Sequence, residues 1–401
     1  MASLFSSVEL APRDPILGLT EAFNSDSRPG KVNLGVGVYY NDQGRIPLLE
    51  CVRAAEQELT KSASARGYLP IEGPAAYGVQ VQRLLFGPDS EAIASGRCVT
   101  AEALGGTGAL KIGADLVRRL NPNATVMISD PSWENHRALF EAAGFKVRSY
   151  PYYDAATHGL DFAGMLAALE RAEPGTIVVL HACCHNPTGV DPDPAQWRQI
   201  VDCVRQRNLV PFVDIAYQGF GEGLEADAAA ARLVAAAGID ALVASSFSKS
   251  FSLYGERVGA LTLLTGSRDQ GARVLSQLKR VIRTNYSNPP THGGALVTAV
   301  LGNAALRSQW EGELSAMRER ILSMRERLVE GLARRATGTD FSFVRRQRGM
   351  FSYSGLSASQ VDRLREQHAV YAVSTGRICV AALNAGNIDA VCDAIAAVLK
   401  S

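Results

Sequence analysis

The chain is short of lysine. Of its 41 basic residues only seven are lysines and 34 are arginines, so a lysine in an unusual setting stands out. An excess of charge of either sign is also missing. The net charge is +1 and no long basic run occurs, which argues against nucleic acid or an anionic membrane as partner. No stretch approaches about 18 uninterrupted apolar residues, so no transmembrane helix is expected. Met1 to Leu10 has neither a basic segment nor a long apolar core, and no signal peptide is read there. The seven cysteines, Cys51, Cys98, Cys183, Cys184, Cys203, Cys379 and Cys392, are odd in number and include no CxxC pair. That points to reduced thiols in a cytosol rather than a disulfide framework. Internal repeats and low-complexity tracts are absent. What remains, 401 residues that are 47% hydrophobic and 20% charged, is the composition of an ordinary globular protein of about two domains.

The lysine that stands out is in Ala244-Ser245-Ser246-Phe247-Ser248-Lys249-Ser250-Phe251. The apolar run from Asp240 to Ala244 reads as a short buried strand, and Arg257 follows eight positions after the lysine. An amine at the dry mouth of a strand has its charged form disfavoured and can attack a carbonyl. Serine hydroxyls and an arginine suit a phosphate. A carbonyl compound bearing a phosphate, held beside a lysine, suggests pyridoxal phosphate (PLP). Taken alone, the octapeptide also fits a plain Ser-rich turn.

Taken in order, residues 1–30 read as irregular, with Pro12, Asp14-Pro15 and Arg28-Pro29-Gly30 as breakers. Val32 to Tyr39 reads as a strand edge whose Gly35 and Gly37 allow a close approach. Tyr68 sits in a Pro- and Gly-containing loop. Leu104-Gly105-Gly106-Thr107-Gly108 places small residues between an apolar stretch and a helix start, where free N–H groups can meet a phosphate. It matches neither a dinucleotide fingerprint nor a Walker loop. From there to about residue 265, apolar runs alternate with helical patterns, one of them starting at Asp193 with Pro194 in its first position. This predicts a mostly parallel sheet covered on both faces, with ligands beyond the carboxyl ends of its strands. Those ends carry Trp133, Asn186, Asp214, Tyr217 and Lys249. His181, Cys183, Cys184 and His185 could ligate a metal, but they crowd into five positions, and no metal is expected. Arg280 to Pro290 reads as a loop because it ends in a double proline. A long helix through Leu314 and Leu332 follows, then strands near Gly349–Gly355 and Ala369–Val373, and a last amphipathic helix.

Asn186-Pro187-Thr188-Gly189, Asp214-Ile215-Ala216-Tyr217, Ser246-Phe247-Ser248-Lys249, Glu256-Arg257-Val258-Gly259, Tyr286-Ser287-Asn288-Pro289-Pro290 and Gly376-Arg377 stand in this order. Together they resemble the class I aminotransferases of the aspartate/aromatic group, over essentially the whole chain from Asp14-Pro15. Tyr39-Tyr40-Asn41, Tyr68-Leu69-Pro70 and Phe251 to Arg257 resemble the bacterial tyrosine (aromatic amino acid) aminotransferases most.

The resemblance implies an α/β protein of PLP fold type I, with a mostly parallel central sheet, flanking helices and a smaller α+β domain. The expected division is 46–310 as the large PLP-binding domain and 1–45 with 311–401 as the small one. Lys249 would form the Schiff base with PLP and move the proton. Asp214 would pair with the pyridinium nitrogen, with His136 behind it. Tyr217 and Asn186 would bind the ring hydroxyl oxygen, and Trp133 would stack on the ring. Ser246, Ser248, Arg257, Gly106 and Thr107 would hold the phosphate. Arg377 would grip the substrate α-carboxylate, helped by Asn186 and the backbone at Gly37. Tyr68 and Arg283 would reach in from the other subunit of a homodimer, to the phosphate and to a side-chain carboxylate. Two departures are noted: the Gly105-Gly106-Thr107 turn lacks a serine that some relatives carry, and Ser250 follows the lysine where members often differ. The implied activity is transfer of the amino group of tyrosine or phenylalanine, and of aspartate, to 2-oxoglutarate in the cytoplasm. A strict aspartate aminotransferase is the alternative.

Overall fold

The computed structural model describes residues 3–11, 16–62 and 65–400. Pro12, Asp14 and Pro15 therefore lie outside the described residues. The centre is a seven-stranded sheet made of β1 (Cys98–Leu104), β2 (Thr125–Asp130), β3 (Lys146–Pro151), β4 (Ile177–His181), β5 (Val210–Ile215), β6 (Ala241–Ser246) and β7 (Val258–Leu264). The spatial order is β1-β7-β6-β5-β4-β2-β3. Every neighbouring pair from β6 to β3 is parallel, while β7 runs antiparallel to both β6 and β1.

Side chains alternate across these strands. In β4, Ile177 and Val179 enter one apolar cluster, and Val178 and Leu180 enter the other. A strand with both faces covered must be apolar at every position, which is why these runs read as continuous. Helices cover both faces, with α1 (Gly105–Leu120), α2 (Glu134–Ala142) and α4 (Arg268–Asn285) among those that bring residues to the smaller cluster. On the other side, α3 (Pro194–Gln206) buries Trp197, Ile200, Val201 and Val204. Asp193 caps it as expected. Its side chain accepts from the Ala195 and Gln196 N–H groups, and Gln196 reaches back to the Asp193 N–H.

The chain then runs through α5 (Ala304–Arg335), which packs along the last helix, Ile388–Leu399. Two small ladders complete this end. Val32–Asn33 pairs parallel with Val370–Tyr371, and Phe351–Tyr353 pairs antiparallel with Arg377–Cys379.

Three local expectations are corrected. Within the first 30 residues, Leu17–Ser25 is a helix rather than irregular chain. From Val32 to Tyr39 only Val32–Asn33 is strand, because Gly35 and Gly37 lie against the Leu19 and Phe351 side chains instead of continuing the ladder. Arg280–Asn285 belongs to α4 and is not a loop. Leu278, Val281 and Ile282 are buried on one face of that helix, and a proline constrains little beyond the residue before it. Pro289 and Pro290 therefore leave Arg280–Asn285 free to be helical.

Candidate active site

The carboxyl ends of β2, β4, β5 and β6 share one rim, and β1 leads into α1 there. The reversed direction of β7 brings its first residue to the same rim, so Arg257 arrives immediately before a strand rather than after one. A cavity of about 140 Å³ lies at this rim. Gly106, Thr107, Trp133, Asn186, Asp214, Tyr217, Ser246, Ser248, Lys249 and Arg257 line it, together with Leu110, His181, Ala216 and Tyr254. A wider mouth of about 850 Å³ shares Trp133, Asn186, Tyr217 and Lys249, and adds Gly37, Glu134, Phe351 and Arg377.

One corner is built for an anion. No side chain caps the start of α1, so its first N–H groups and the positive end of its dipole are open there. Gly105 holds φ +69°, and a Cβ on it would fall 2.5 Å from Arg257 Nη2, so glycine is what admits the guanidinium to this corner. Arg257 Nη1 donates to Ser248 Oγ at 3.3 Å and to the Tyr254 carbonyl at 3.1 Å. The Ser246 hydroxyl donates to Ser248 Oγ at 3.2 Å. Two hydroxyls, a guanidinium and a helix start thus converge.

The opposite corner holds a buried carboxylate. His136 Nε2 donates to Asp214 Oδ2 at 2.9 Å, and His136 Nδ1 accepts from the Ser132 hydroxyl at 3.0 Å. Burial pushes the Asp214 carboxyl up. The hydrogen bond from His136 and the charge of Lys249 outweigh that and leave it below its ordinary range. The Lys249 Nζ lies 4.7 Å from the centre of the Tyr217 ring. Burial brings its amine down to about 8; Asp214 works against the shift and Arg257 with it. An amine in that state is in part a free nucleophile and base near neutral pH. Behind the loop, Trp310 donates from Nε1 to the Ser250 carbonyl at 2.7 Å and stacks on Phe251.

Arg377 is buried, at 1% exposure. Its Nη1 donates to Asn186 Oδ1 at 3.0 Å and its Nη2 to the Gly35 carbonyl at 2.6 Å. Its plane lies over Phe351, with Cζ 4.4 Å from the ring centre. Nε has no hydrogen-bond partner among the described residues. A buried guanidinium without a carboxylate is held ready for an anion.

Tyr68 and Arg283 line neither of these two cavities. Tyr68 is 96% exposed, and Arg283 donates from Nη1 to the Ser287 hydroxyl on its own segment. Two lining residues receive no site role from the sequence. Tyr254 lines both cavities and accepts from the Tyr39 N–H at 2.9 Å. His181 also faces the smaller cavity, with burial holding its imidazole down at about 3. Of the four crowded metal candidates, three fall in two separate groups and His185 in neither, its ring nitrogens lying against the Ser129 and Thr188 hydroxyls. His181 lies with His136 and Asp214, whereas Cys183 and Cys184 lie with Asp227.

Comparison with known proteins agrees with this geometry. The sequence profile of the family described as "Aminotransferase class I and II" matches residues 29–395. An aspartate aminotransferase of Pseudomonas aeruginosa is 64% identical over 397 residues, 99% of this chain and 100% of its own. An aromatic-amino-acid aminotransferase of Escherichia coli is 49% identical over 397 residues, with the same coverage. Among solved structures, an aromatic-amino-acid aminotransferase from Burkholderia pseudomallei, covalently bound to pyridoxal phosphate, superposes with a TM-score of 0.97 at 69% identity, covering 99% of this chain and 100% of that one. An amine beside a carboxylate, an anion corner and a buried guanidinium, on a chain matched almost end to end, lead to one statement: this chain belongs to the class I and II aminotransferases.

Proposed function

We propose that this chain is a PLP-dependent aminotransferase that moves the amino group of tyrosine, phenylalanine and aspartate to 2-oxoglutarate. The observation that carries the reading is one cavity with Lys249 between the Asp214 corner and the Ser246–Ser248–Arg257 corner, opening toward Arg377. The donor set fits PLP at both ends: two hydroxyls, a guanidinium and the start of α1 for a phosphate, and a carboxylate held ionised for a protonated ring nitrogen.

Bound there, PLP supplies an electron sink for the pair left on the substrate α-carbon when its proton departs. The remaining work falls to the chain. Lys249 offers the amine that links covalently to the cofactor and afterwards takes and returns the α-proton. Asp214, steadied by His136, holds a proton on the ring nitrogen. Tyr217 and Asn186 orient the ring through its hydroxyl oxygen, and Trp133 covers a face. Gly106, Thr107, Ser246, Ser248 and Arg257 bind the phosphate. Arg377 takes the α-carboxylate, with Asn186 and the backbone near Gly37 beside it.

Tyr68 and Arg283 act, in this reading, in the site of the partner subunit of a homodimer. Their absence from the lining of their own cavities supports it, as do the exposed Leu4, Phe5, Val8 and Leu10 of the N-terminal arm. Residues 46–310 form the unit that holds the cofactor, and 1–45 with 311–401 the smaller unit that carries Arg377. Seven free, buried thiols suit the cytoplasm.

The test is a half-reaction. The purified protein is loaded with PLP, and its absorption is followed as tyrosine or aspartate is added without keto acid. Conversion by tyrosine much faster than by aspartate supports the aromatic assignment. Conversion by aspartate alone favours a strict aspartate aminotransferase, the reading that the name of the Pseudomonas relative supports. No PLP band at all refutes the role of Lys249.

A further inference from the structure

Glu102 is a buried acid for which the chemistry above has no use. It lies in β1 at 1% exposure, and its Oε2 has no hydrogen-bond partner among the described residues. Its surroundings leave room for it alone. A Cβ on Gly294 would fall 2.2 Å from Oε1, and one on Gly73 would fall 2.9 Å from Oε2. The backbone of the same residue holds two further segments. The Glu102 N–H donates to the Glu72 carbonyl at 2.9 Å, and the Tyr286 hydroxyl donates to the Glu102 carbonyl at 3.2 Å. Tyr68 precedes Glu72 by four residues, and Arg283 precedes Tyr286 by three. Glu102 therefore touches both segments whose side chains are assigned above to the partner subunit's site.

We propose that Glu102 is a positioning residue for the shared site: as a neutral acid it keeps the Tyr68 and Arg283 segments in register, and its ionisation loosens the grip on a dicarboxylate substrate. The inference rests on the dimer reading. Among the described residues no cation offsets a charge at this place. Tyr77 from helix Ala75–Phe86 and Tyr286 at the end of α4 face the carboxyl, and both phenols are pushed up, first by burial and then by the charge of Glu102. Glu72 is paired with Lys279 at 2.5 Å. His292, on the helix that supplies Gly294, reaches Glu56 instead at 3.3 Å. From β7 the register partner is Ala260. Burial pushes the Glu102 carboxyl from an ordinary value of 4.5 up to about 8. The folded chain thus keeps a proton that the unfolded chain releases. Stability tied to this group falls as pH rises from about 4.5 to about 8, and is level beyond.

The test compares the PLP-loaded wild type with Glu102→Gln, which places a neutral amide in the same volume. Melting temperatures are read from about pH 5 to 9, and kcat and KM for aspartate and phenylalanine from about pH 6.5 to 9. The gap in melting temperature between variant and wild type is expected to widen up to about pH 8 and then stay level. Through a midpoint near pH 8 the KM of the wild type for aspartate is expected to rise several-fold relative to that for phenylalanine, with kcat little changed, while Glu102→Gln keeps a constant ratio. Any pH dependence that arises at Lys249 is common to both proteins and cancels in the comparison. Parallel melting profiles, or superimposable substrate ratios in an active enzyme, overturn the inference. A protein inactive with both substrates at every pH overturns instead the reading of the function on which it rests.

Discussion

Arg377→Lys is the most informative single change, because it keeps the charge and removes the fork. The guanidinium is already fixed on two sides, by Asn186 Oδ1 at 3.0 Å and the Gly35 carbonyl at 2.6 Å, and its plane is set by Phe351. An ammonium has three donors on one atom and cannot satisfy both acceptors while also presenting two parallel donors to a carboxylate. At least one charge-assisted hydrogen bond to the substrate is lost, at about 1.5–3 kcal/mol. With about 1.4 kcal/mol per tenfold, kcat/KM should fall on the order of 10- to 100-fold. The loss should be nearly equal for tyrosine, phenylalanine and aspartate, since all present the same α-carboxylate. Arg283→Ala should behave differently, weakening aspartate and 2-oxoglutarate while sparing the aromatic substrates. Half-reaction rates with each amino acid, at saturating PLP, measure both. A lysine variant within threefold of wild type, or one impaired with aspartate alone, would refute the assignment of Arg377 to the α-carboxylate.

Other changes probe the remaining parts. Lys249→Ala should abolish turnover while circular dichroism and the melting profile stay those of a folded protein; wild-type-like turnover would sink the mechanism. In the PLP-free protein, the Lys249 amine should react with a carbonyl reagent at a rate that climbs with pH through a midpoint near 8, because burial releases its proton early; mass spectrometry after reductive trapping reads the curve, and a midpoint above 10 contradicts it. Asp214→Asn should lower kcat by roughly 10- to 100-fold, the scale of one hydrogen bond to a charged group, and rates within threefold of wild type count against its pairing with the ring nitrogen. Asp193→Ala removes the cap of α3 and should cost about 1 kcal/mol of stability, read by denaturant titration, with activity per folded molecule unchanged. Trp310→Ala should cost about 3–5 kcal/mol and also slow turnover, since the Ser250 carbonyl next to Lys249 loses its donor; an unchanged kcat would show that the loop needs no such support.

Much of the site was legible because strand ends are punctuated. Asn186-Pro187, Asp214, Ser246 and Lys249 each follow a continuous apolar run, and the rule that ligands gather beyond such ends placed them together. Two kinds of information were not local. Strand direction is one: the apolar run of β7 looks like its parallel neighbours, and nothing within it says that it runs backward. Long-range partnership is the other. The bond from Arg377 to Asn186 joins residues 191 apart, and the Gly35 carbonyl that completes it has no side chain to announce it. His181 was set aside with the crowded metal candidates; its place against the cavity depends on how β4 and β5 pair. The helix over Arg280–Asn285 was missed for a simpler reason: the prolines after it were given too long a reach.

The antiparallel pairing of β6 and β7 has a geometric consequence. Ser246 lies opposite Gly259 in the ladder, so the segment carrying Lys249 and Arg257 leaves and re-enters the sheet at nearly one point. The two groups that would address opposite ends of one small molecule, its carbonyl and its phosphate, are thus fixed to the two arms of a single loop. Their separation is a gauge length, set by loop length and ladder register and not by how the rest of the chain folds around them. An insertion there should spoil the match to any ligand of fixed length while leaving each group chemically intact. A longer loop would re-tool the site for a longer molecule.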